Sequence, residues 1–291
     1  FALMQESFSM AGTAETPLVV VVASRPGPAT GLATYTGQED LELALNSGHG
    51  EFPYIVLSPA DTEQGFNRAA EALSLAWKYR TQVVYLTEKH LAESMMTTNV
   101  DPDSVSEVNP KTYEGESEDF KSYEITEDGV SPMLFPPEKG AVIRHNSHEN
   151  DELGITTDDP ETTVKMRDKR MRKKKEIKNK VKNLNPVQTY GNGDIVVLTY
   201  GSTTMSVLES LKHVDEDIKL VQPVYLRPFP EKELKDEIEG KNKLISVELS
   251  SMGSFTNLLT EKGVRTDERI LKYDGRPFDP KVLANKIKEA I

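Results

Sequence analysis

The stretch PLVVVVASRPGPATGLAT, residues 17–34, combines the two features that decide the fold. It opens with a continuous apolar run that has the length of a buried β-strand. Proline, glycine and hydroxyl residues follow at once, as in a loop that leaves the end of a strand. Uninterrupted apolar strands are typical of parallel sheets covered by helices on both faces. Residues 17–34 therefore predict an α/β fold with a candidate binding loop at a strand end.

Length and composition exclude several classes of protein. A chain of 291 residues allows about two domains. The net charge of −12 argues against a general binder of nucleic acid or acidic membranes. The absence of cysteine excludes disulfides, a cysteine nucleophile and an iron–sulfur cluster held by this chain alone. No apolar run is long enough to cross a membrane, so a cytoplasmic location is expected, and the start at Phe1 suggests a fragment of a longer product.

Three zones differ in composition. Residues 1–100 and 193–291 alternate helix-like and strand-like segments, whereas residues 101–192 form a connecting region that changes from acidic to basic. The periodicity predicts strands at 18–23, 54–57, 82–86, 194–200, 218–226 and 244–249. It predicts helices at 2–11, 39–47, 62–78, 165–182, 206–213, 231–239, 253–261 and 280–290. In helix 62–78 the expected apolar face comprises Phe66, Ala69, Ala70, Leu73, Ala76 and Trp77.

Arg25 is the sharpest candidate for chemistry. It follows the first strand, and its planar guanidinium matches a carboxylate with two parallel hydrogen bonds. Thr30 and Thr34 add hydroxyl groups to the same loop. The loop is therefore interpreted as a site for a substrate that carries one or two carboxylates. The alternative is a structural turn whose arginine pairs with a nearby acid.

Other motifs are weaker. His49 lies between two glycines and could approach a ligand, but a loop that turns into the next strand explains it better. The segment 201–204 (GSTT) could bind an anion at a helix start, although N-capping alone explains it. The segment 146–149 (NSHE) could hold a metal, although histidine and carboxylate side chains this close on a loop are common without any ion.

The basic segment 165–182 admits two interpretations. A helix that binds nucleic acid is disfavoured, because no aromatic side chains are interleaved for stacking. A solvated or partner-facing helix that pairs with acidic surface is preferred. Its expected apolar stripe comprises Val164, Met171, Ile177, Val181 and Leu184.

Several of these motifs together resemble one enzyme family. The segments PLVVVVASRPGPATGLATYT, GHGEFPYIVLSP, EQGFNRAAEALSLAWKY, VVLTYGSTTMSVLESL and ILKYDGRPFDP occur in the order typical of the α subunit of 2-oxoacid:ferredoxin oxidoreductases. The resemblance covers nearly the whole chain and is greatest to the archaeal type, in which a γ domain is fused ahead of this region.

The resemblance implies a fold and an activity. Residues 1–100 would be the second half of a pyrimidine-type thiamine-diphosphate-binding domain, and residues 193–291 a doubly wound domain like the C-terminal domain of transketolase. The enzyme would couple coenzyme A-dependent oxidative decarboxylation of 2-oxoglutarate, pyruvate or 2-oxobutyrate to ferredoxin reduction. Thiamine diphosphate, Mg²⁺ and the iron–sulfur cluster would be held mainly by a β subunit. Arg25 would bind the substrate carboxylate, Thr34 would line the same pocket, and Thr30 would assist.

One departure from the family concerns the start of the chain. The family's YPITP-type motif, its cofactor-activating glutamate and its TSGPG-like loop lie upstream of the matching region and would come from a missing N-terminal segment of the same α chain. We therefore expect the chain alone to be inactive and to expose one side of its first sheet. The alternatives are a pyruvate- or indolepyruvate-specific relative and a non-catalytic assembly module. Neither a nucleic acid nor a membrane is expected as a partner.

Overall fold

The apolar run after Pro17 forms strand β1 (Leu18–Ser24), which lies at the edge of a four-stranded sheet. Strands β2 (Tyr54–Leu57) and β3 (Gln82–Glu88) run parallel to β1, and β7 (Tyr225–Arg227) is antiparallel to β2. The order in this first sheet is β1-β3-β2-β7. The coordinates are those of a computed structural model that describes all 291 residues.

The strands of a second, five-stranded sheet are β4 (Val187–Tyr190), β5 (Ile195–Leu198), β6 (Ile218–Pro223), β8 (Lys243–Glu248) and β9 (Glu268–Leu271). Their order in the sheet is β4-β6-β5-β8-β9. All neighbouring strands pair in parallel except β4, which pairs antiparallel with β6.

Nine α-helices surround the two sheets. They are α1 (Gln5–Thr13), α2 (Leu41–Leu45), α3 (Thr62–Tyr79), α4 (Lys89–Ala92), α5 (Pro160–Val181), α6 (Thr203–Leu211), α7 (Glu231–Ile238), α8 (Ser254–Glu261) and α9 (Pro280–Ala290). The connection between α4 and α5 contains only two short 3₁₀ turns and isolated β-bridges, as its acidic, proline-containing composition indicates.

Three apolar clusters hold these layers together. One lies between the two sheets and joins Val20, Leu86, Leu198 and Phe255 with side chains of α1, α2, α7 and α8. A second lies on the other face of the first sheet, against α3 and α5. The third fills the outer face of the second sheet against α6 and α9. Helices thus cover both faces of the second sheet, and the predicted α/β class with a doubly wound C-terminal part is confirmed.

The predicted strand 218–226 divides between the two sheets. Its first part forms β6, and after Pro223 and Val224 the chain enters the first sheet as β7. Proline lacks a backbone N–H group and so favours the interruption of the ladder. Strands β4 and β9 were not predicted, because each has only four residues and most of their side chains are half-buried or exposed.

The expected apolar face of α3 was wrong except for Ala76, which is buried as expected. Phe66 is 40% exposed and Leu73 is 45% exposed, whereas Ala72, Leu75 and Tyr79 are buried against the sheet. Apolar residues occur on both sides of this helix, so periodicity does not identify the inner face. The small side chains of Ala72 and Ala76 favour the observed face, because they allow a close approach of helix to sheet.

The expected stripe of the basic helix was wrong in its first half. Val164 and Met171 are 57% and 45% exposed. Met166, Lys169 and Lys173 are buried instead, and they continue into the correctly expected Ile177 and Val181. An apolar pattern cannot reveal this face, because two of its members are lysines.

One face of the edge strand β1 is open. Val21 is 65% exposed and Ala23 is also exposed, while the neighbouring β3 is largely buried. The expectation of an exposed side of the first sheet is therefore confirmed only for its edge strand. None of the helices is both long and apolar enough to cross a membrane.

Candidate functional site

The loop that follows β1, residues 25–37, has a defined shape and is called the β1 loop below. The Gly27 N–H group donates to Glu39 Oε2 over 2.7 Å, and the Leu32 N–H group donates to Pro26 O over 3.0 Å. Gly31 has φ +47°, and a Cβ atom at this position would collide with Pro26 O. Glycine is therefore required at this turn.

Arg25 is half-buried in the β1 loop and forms no ion pair within the chain. The structural alternative, pairing with a nearby acid, is not observed, since the carboxylate of Glu39 accepts from the Gly27 backbone instead. Thr30 and Thr34 are both exposed in the same loop. All three predicted site residues lie in this loop after the end of β1, and no hydrogen bond joins any two of them.

The β1 loop contacts the C-terminal part of the chain. The Thr36 N–H group donates to Gly275 O over 3.2 Å. The guanidinium of Arg276 lies 3.8 Å from the ring centroid of Tyr35. The loop is thus held between the end of β1 and the segment after β9, so both halves of the molecule shape the candidate site.

His49 lies apart from the β1 loop. Its Nδ1 atom is 3.1 Å from Ser9 Oγ and 3.7 Å from Glu6 Oε2. It lines a cavity of about 610 Å³ between α1, α5 and its own loop, and no residue of the β1 loop borders this cavity. The structure does not bring His49 together with Arg25.

The turn 201–204 is buried. The Ser202 N–H group donates to Glu88 Oε2 over 3.3 Å, and Thr203 Oγ1 donates to Gln38 Oε1 over 3.0 Å. Side chains of the protein thus occupy two of the donors that an anion would need, whereas the buried hydroxyls of Ser202 and Thr204 have no hydrogen-bond partner. The hydroxyl of Ser202 does not cap the helix, and the expectation of an anion site at this turn stays a prediction.

The basic helix α5 is held by a buried acid. Glu15 lies 2.7 Å from Lys169 Nζ and 2.5 Å from Lys173 Nζ, and all three side chains are almost fully buried. Burial alone would raise the pKa of Glu15, but the charges of Lys173, Lys169 and Arg80 outweigh it and hold this pKa well below its usual range. Burial lowers the pKa of Lys173 to about 8. Two lysines of the basic helix α5 therefore bind a buried carboxylate inside the protein rather than face solvent or a partner.

The segment 146–149 does not form a metal centre. Both carboxylate oxygens of Glu149 accept from Arg170, over 2.9 and 2.7 Å. Asn146 donates to Thr156 Oγ1 over 2.8 Å. No group of three or more His, Cys, Asp or Glu side chains converges anywhere in the chain.

The sequence interpretation missed Gln38 and Glu88, which are both almost fully buried beside the β1 loop. Burial without a neighbouring cation raises the pKa of Glu88 to about 7. The available signal was position, because Glu88 ends strand β3 and polar groups at strand ends in α/β sheets form sites.

Two family models match separate parts of the chain. Residues 1–169 match the family described as pyruvate flavodoxin/ferredoxin oxidoreductase, thiamine diphosphate-binding. Residues 193–278 match pyruvate:ferredoxin oxidoreductase core domain II.

Curated relatives extend over the whole chain. The 2-oxoacid:ferredoxin oxidoreductase 2 subunit alpha of Aeropyrum pernix is 34% identical over 300 residues, which cover 100% of this chain and 46% of the relative. The 2-oxoglutarate synthase subunit KorA of Methanothermobacter thermautotrophicus is 29% identical and is covered to 77% of its length, with 99% of this chain aligned. The chain thus spans about half the length of the first relative.

A solved structure shows the same fold. The 2-oxoglutarate:ferredoxin oxidoreductase from Magnetococcus marinus, with 2-oxoglutarate, coenzyme A and succinyl-CoA bound, superposes with a TM-score of 0.87 at 30% identity. The match covers 99% of this chain and 51% of the other. The chain therefore belongs to the thiamine-diphosphate-binding family of pyruvate flavodoxin/ferredoxin oxidoreductases.

Proposed function

We propose that the chain is the C-terminal part of the α subunit of a 2-oxoacid:ferredoxin oxidoreductase. The complete enzyme would convert 2-oxoacids and coenzyme A to acyl-CoA and CO₂, with 2-oxoglutarate, pyruvate and 2-oxobutyrate as substrates, and would pass the electrons to ferredoxin in the cytoplasm. The similarity to the bound Magnetococcus enzyme supports this proposal. The observation that carries it is the unpaired guanidinium of Arg25 in a fixed loop at the end of β1.

In this proposal the β1 loop recognises the substrate. Arg25 would bind a substrate carboxylate with paired charge-assisted hydrogen bonds. The hydroxyl of Thr34 would line the same pocket, and that of Thr30 would assist. Residues 1–100 would form the second half of the cofactor-binding domain, residues 101–192 the connecting region and residues 193–291 the C-terminal domain.

Thiamine diphosphate would supply the carbanion that attacks the 2-oxo carbon. Within these 291 residues, no three acidic or histidine side chains converge as candidate ligands of the Mg²⁺. We assign this site mainly to the β subunit and to a further segment of the α chain. These 291 residues contain no cysteine and so supply no thiolate ligand to the iron–sulfur cluster, which we assign to the β subunit.

The test is an assay of the complete α chain with every subunit that copurifies. We expect reduction of a redox dye that requires both a 2-oxoacid and coenzyme A. A complex that contains cofactor and cluster but reduces no dye with any 2-oxoacid would contradict the proposal and would favour the assembly module.

Substrate preference is tested separately, with the variant Arg25→Ala. If the guanidinium binds the distal carboxylate, the variant loses more activity with 2-oxoglutarate than with pyruvate. Equal losses would show that it binds the carboxylate that both substrates share. Measurable turnover of only pyruvate or only indolepyruvate would establish one of the specific relatives instead.

A further inference from the structure

A buried polar cluster anchors the far end of the β1 loop. Its centre is Gln38, which directly follows the loop and is 1% exposed. The two hydrogens of its side-chain amide are donated to Glu88 Oε1 and to Tyr200 O, each over 2.9 Å. Its side-chain oxygen accepts from Thr203 Oγ1 over 3.0 Å and from the Leu249 N–H group over 2.8 Å.

The backbone of Gln38 is bound as well. Its N–H group donates to Leu249 O over 2.7 Å, and its carbonyl accepts from the Tyr200 hydroxyl over 3.2 Å. Both hydrogens of the side-chain amide are therefore donated, and both lone pairs of the side-chain oxygen accept a hydrogen bond. A side chain whose hydrogen bonds are all made in a buried site is confined to one conformation.

The partners of Gln38 come from both sheets. Glu88 ends β3 of the first sheet, whereas Tyr200 lies two residues after β5 and Leu249 directly follows β8 of the second. Glu88 also accepts from the Ser202 N–H group at the start of α6. Gln38 thus fixes the β1 loop at the seam between the two halves of the chain.

The backbone of Gly201 packs closely against this cluster. A Cβ atom on Gly201 would collide with Glu88 Oε1 and would lie 3.2 Å from Gln38 Nε2 and 3.1 Å from Ser58 Oγ. The charged or titratable neighbours are Tyr200, Asp40 and Glu248, and no lysine or arginine forms an ion pair with Glu88. The cluster is therefore held by hydrogen bonds rather than by opposite charges.

We propose that Gln38 and Glu88 are positioning residues that hold Arg25 and the two threonines of the β1 loop in the geometry that binds the 2-oxoacid carboxylate. The inference rests on the proposed function of this loop. Neither residue contacts the substrate. Both restrain the loop before the substrate binds, so that the loop loses less conformational freedom on binding. The anchor joins the loop to the second sheet, so the C-terminal half contributes to substrate affinity without supplying a substrate ligand.

The variant Gln38→Met tests the proposal because it keeps the volume of the side chain and removes its four hydrogen bonds. A matched control is Gln222→Met. Gln222 is also buried at the seam, where it exchanges two hydrogen bonds of 3.1 and 3.0 Å with Gln64, away from the β1 loop. Both variants are introduced into the complete α chain and assayed in the assembled complex.

The first readout is amide hydrogen exchange of the β1 loop, which does not depend on turnover. We expect faster exchange at the hydrogen-bonded amides of Leu32, Tyr35 and Thr36 in Gln38→Met, but not in Gln222→Met. Equal protection in the two variants would overturn the anchoring role.

The second readout is steady-state kinetics. In Gln38→Met we expect KM for the 2-oxoacid to rise about tenfold and kcat to change less than about threefold, with the KM of the control unchanged. Faster loop exchange with an unchanged KM would overturn the positioning role. An absence of turnover in the unaltered complex would instead contradict the proposed function, while the exchange result would still decide the anchoring.

Discussion

At the scale of single residues, the buried acid Glu88 accepts hydrogen bonds but also makes the stability of the fold depend on pH. Glu88 is 1% exposed and accepts hydrogen bonds from Gln38 and Ser202, yet burial raises its pKa to about 7. In the unfolded chain its pKa is near 4.5. The folded state therefore binds the proton more tightly, and the contribution of Glu88 to stability is largest below about pH 4.5.

This contribution falls as the pH rises from 4.5 to about 7, where burial of the charge costs roughly 3 kcal/mol. We expect Glu88→Gln to remove this pH dependence, because the amide does not ionise. The measurement is the free energy of unfolding of variant and unaltered protein between pH 5 and pH 8, using urea. As the pH rises, the free energy of unfolding of Glu88→Gln should increase relative to that of the unaltered protein by roughly 3 kcal/mol. If the difference between the two proteins is the same at every pH, the raised pKa of Glu88 is refuted.

At the scale of elements, α5 shows how a very basic helix is built into an acidic protein. Lys169 and Lys173 both bind Glu15, and Lys173 also donates to Arg80 O over 3.1 Å. The carboxylate of Glu15 is thus the counter-ion of several buried cations. Removal of one partner of a buried ion pair is strongly destabilising, because it leaves an uncompensated charge.

We expect Glu15→Gln to lower the free energy of unfolding by about 3–5 kcal/mol. Lys169→Met should cost less, since Glu15 keeps its contact with Lys173. Lys175→Met, at an exposed position of the same helix, serves as the control and should change stability by less than about 0.5 kcal/mol. Urea denaturation ranks the three variants, and a larger loss in Lys169→Met than in Glu15→Gln would contradict the counter-ion role.

At the scale of the whole molecule, the sequence allowed a correct prediction of most elements but not of their contacts. Periodicity located helix α9 and strand β2, because such local patterns depend on neighbouring residues. It did not show that residues 218–226 divide between two sheets. The inner face of α3 was also missed, since apolar residues occur on both of its sides.

In the candidate site, too, local sequence identified some residues, whereas others come together only in the folded chain. Arg25, Thr30 and Thr34 could be identified because they lie together in the sequence after an apolar strand. Gln38 and Glu88 are separated by 50 positions, and Gln38 meets Tyr200 from 162 positions away. Only the folded chain brings these residues together, so no local pattern could connect them.

The most direct test of the central proposal is the kcat/KM for a 2-oxoacid of the complete complex with Arg25→Ala. The control is Arg265→Ala, which alters an exposed arginine outside the β1 loop. Loss of a charge-assisted hydrogen-bond pair to the carboxylate should lower kcat/KM roughly 10- to 100-fold in Arg25→Ala and leave the control unchanged. Unaltered kcat/KM in Arg25→Ala, in a complex with its cofactor and cluster, would contradict the assignment of the β1 loop as the substrate site.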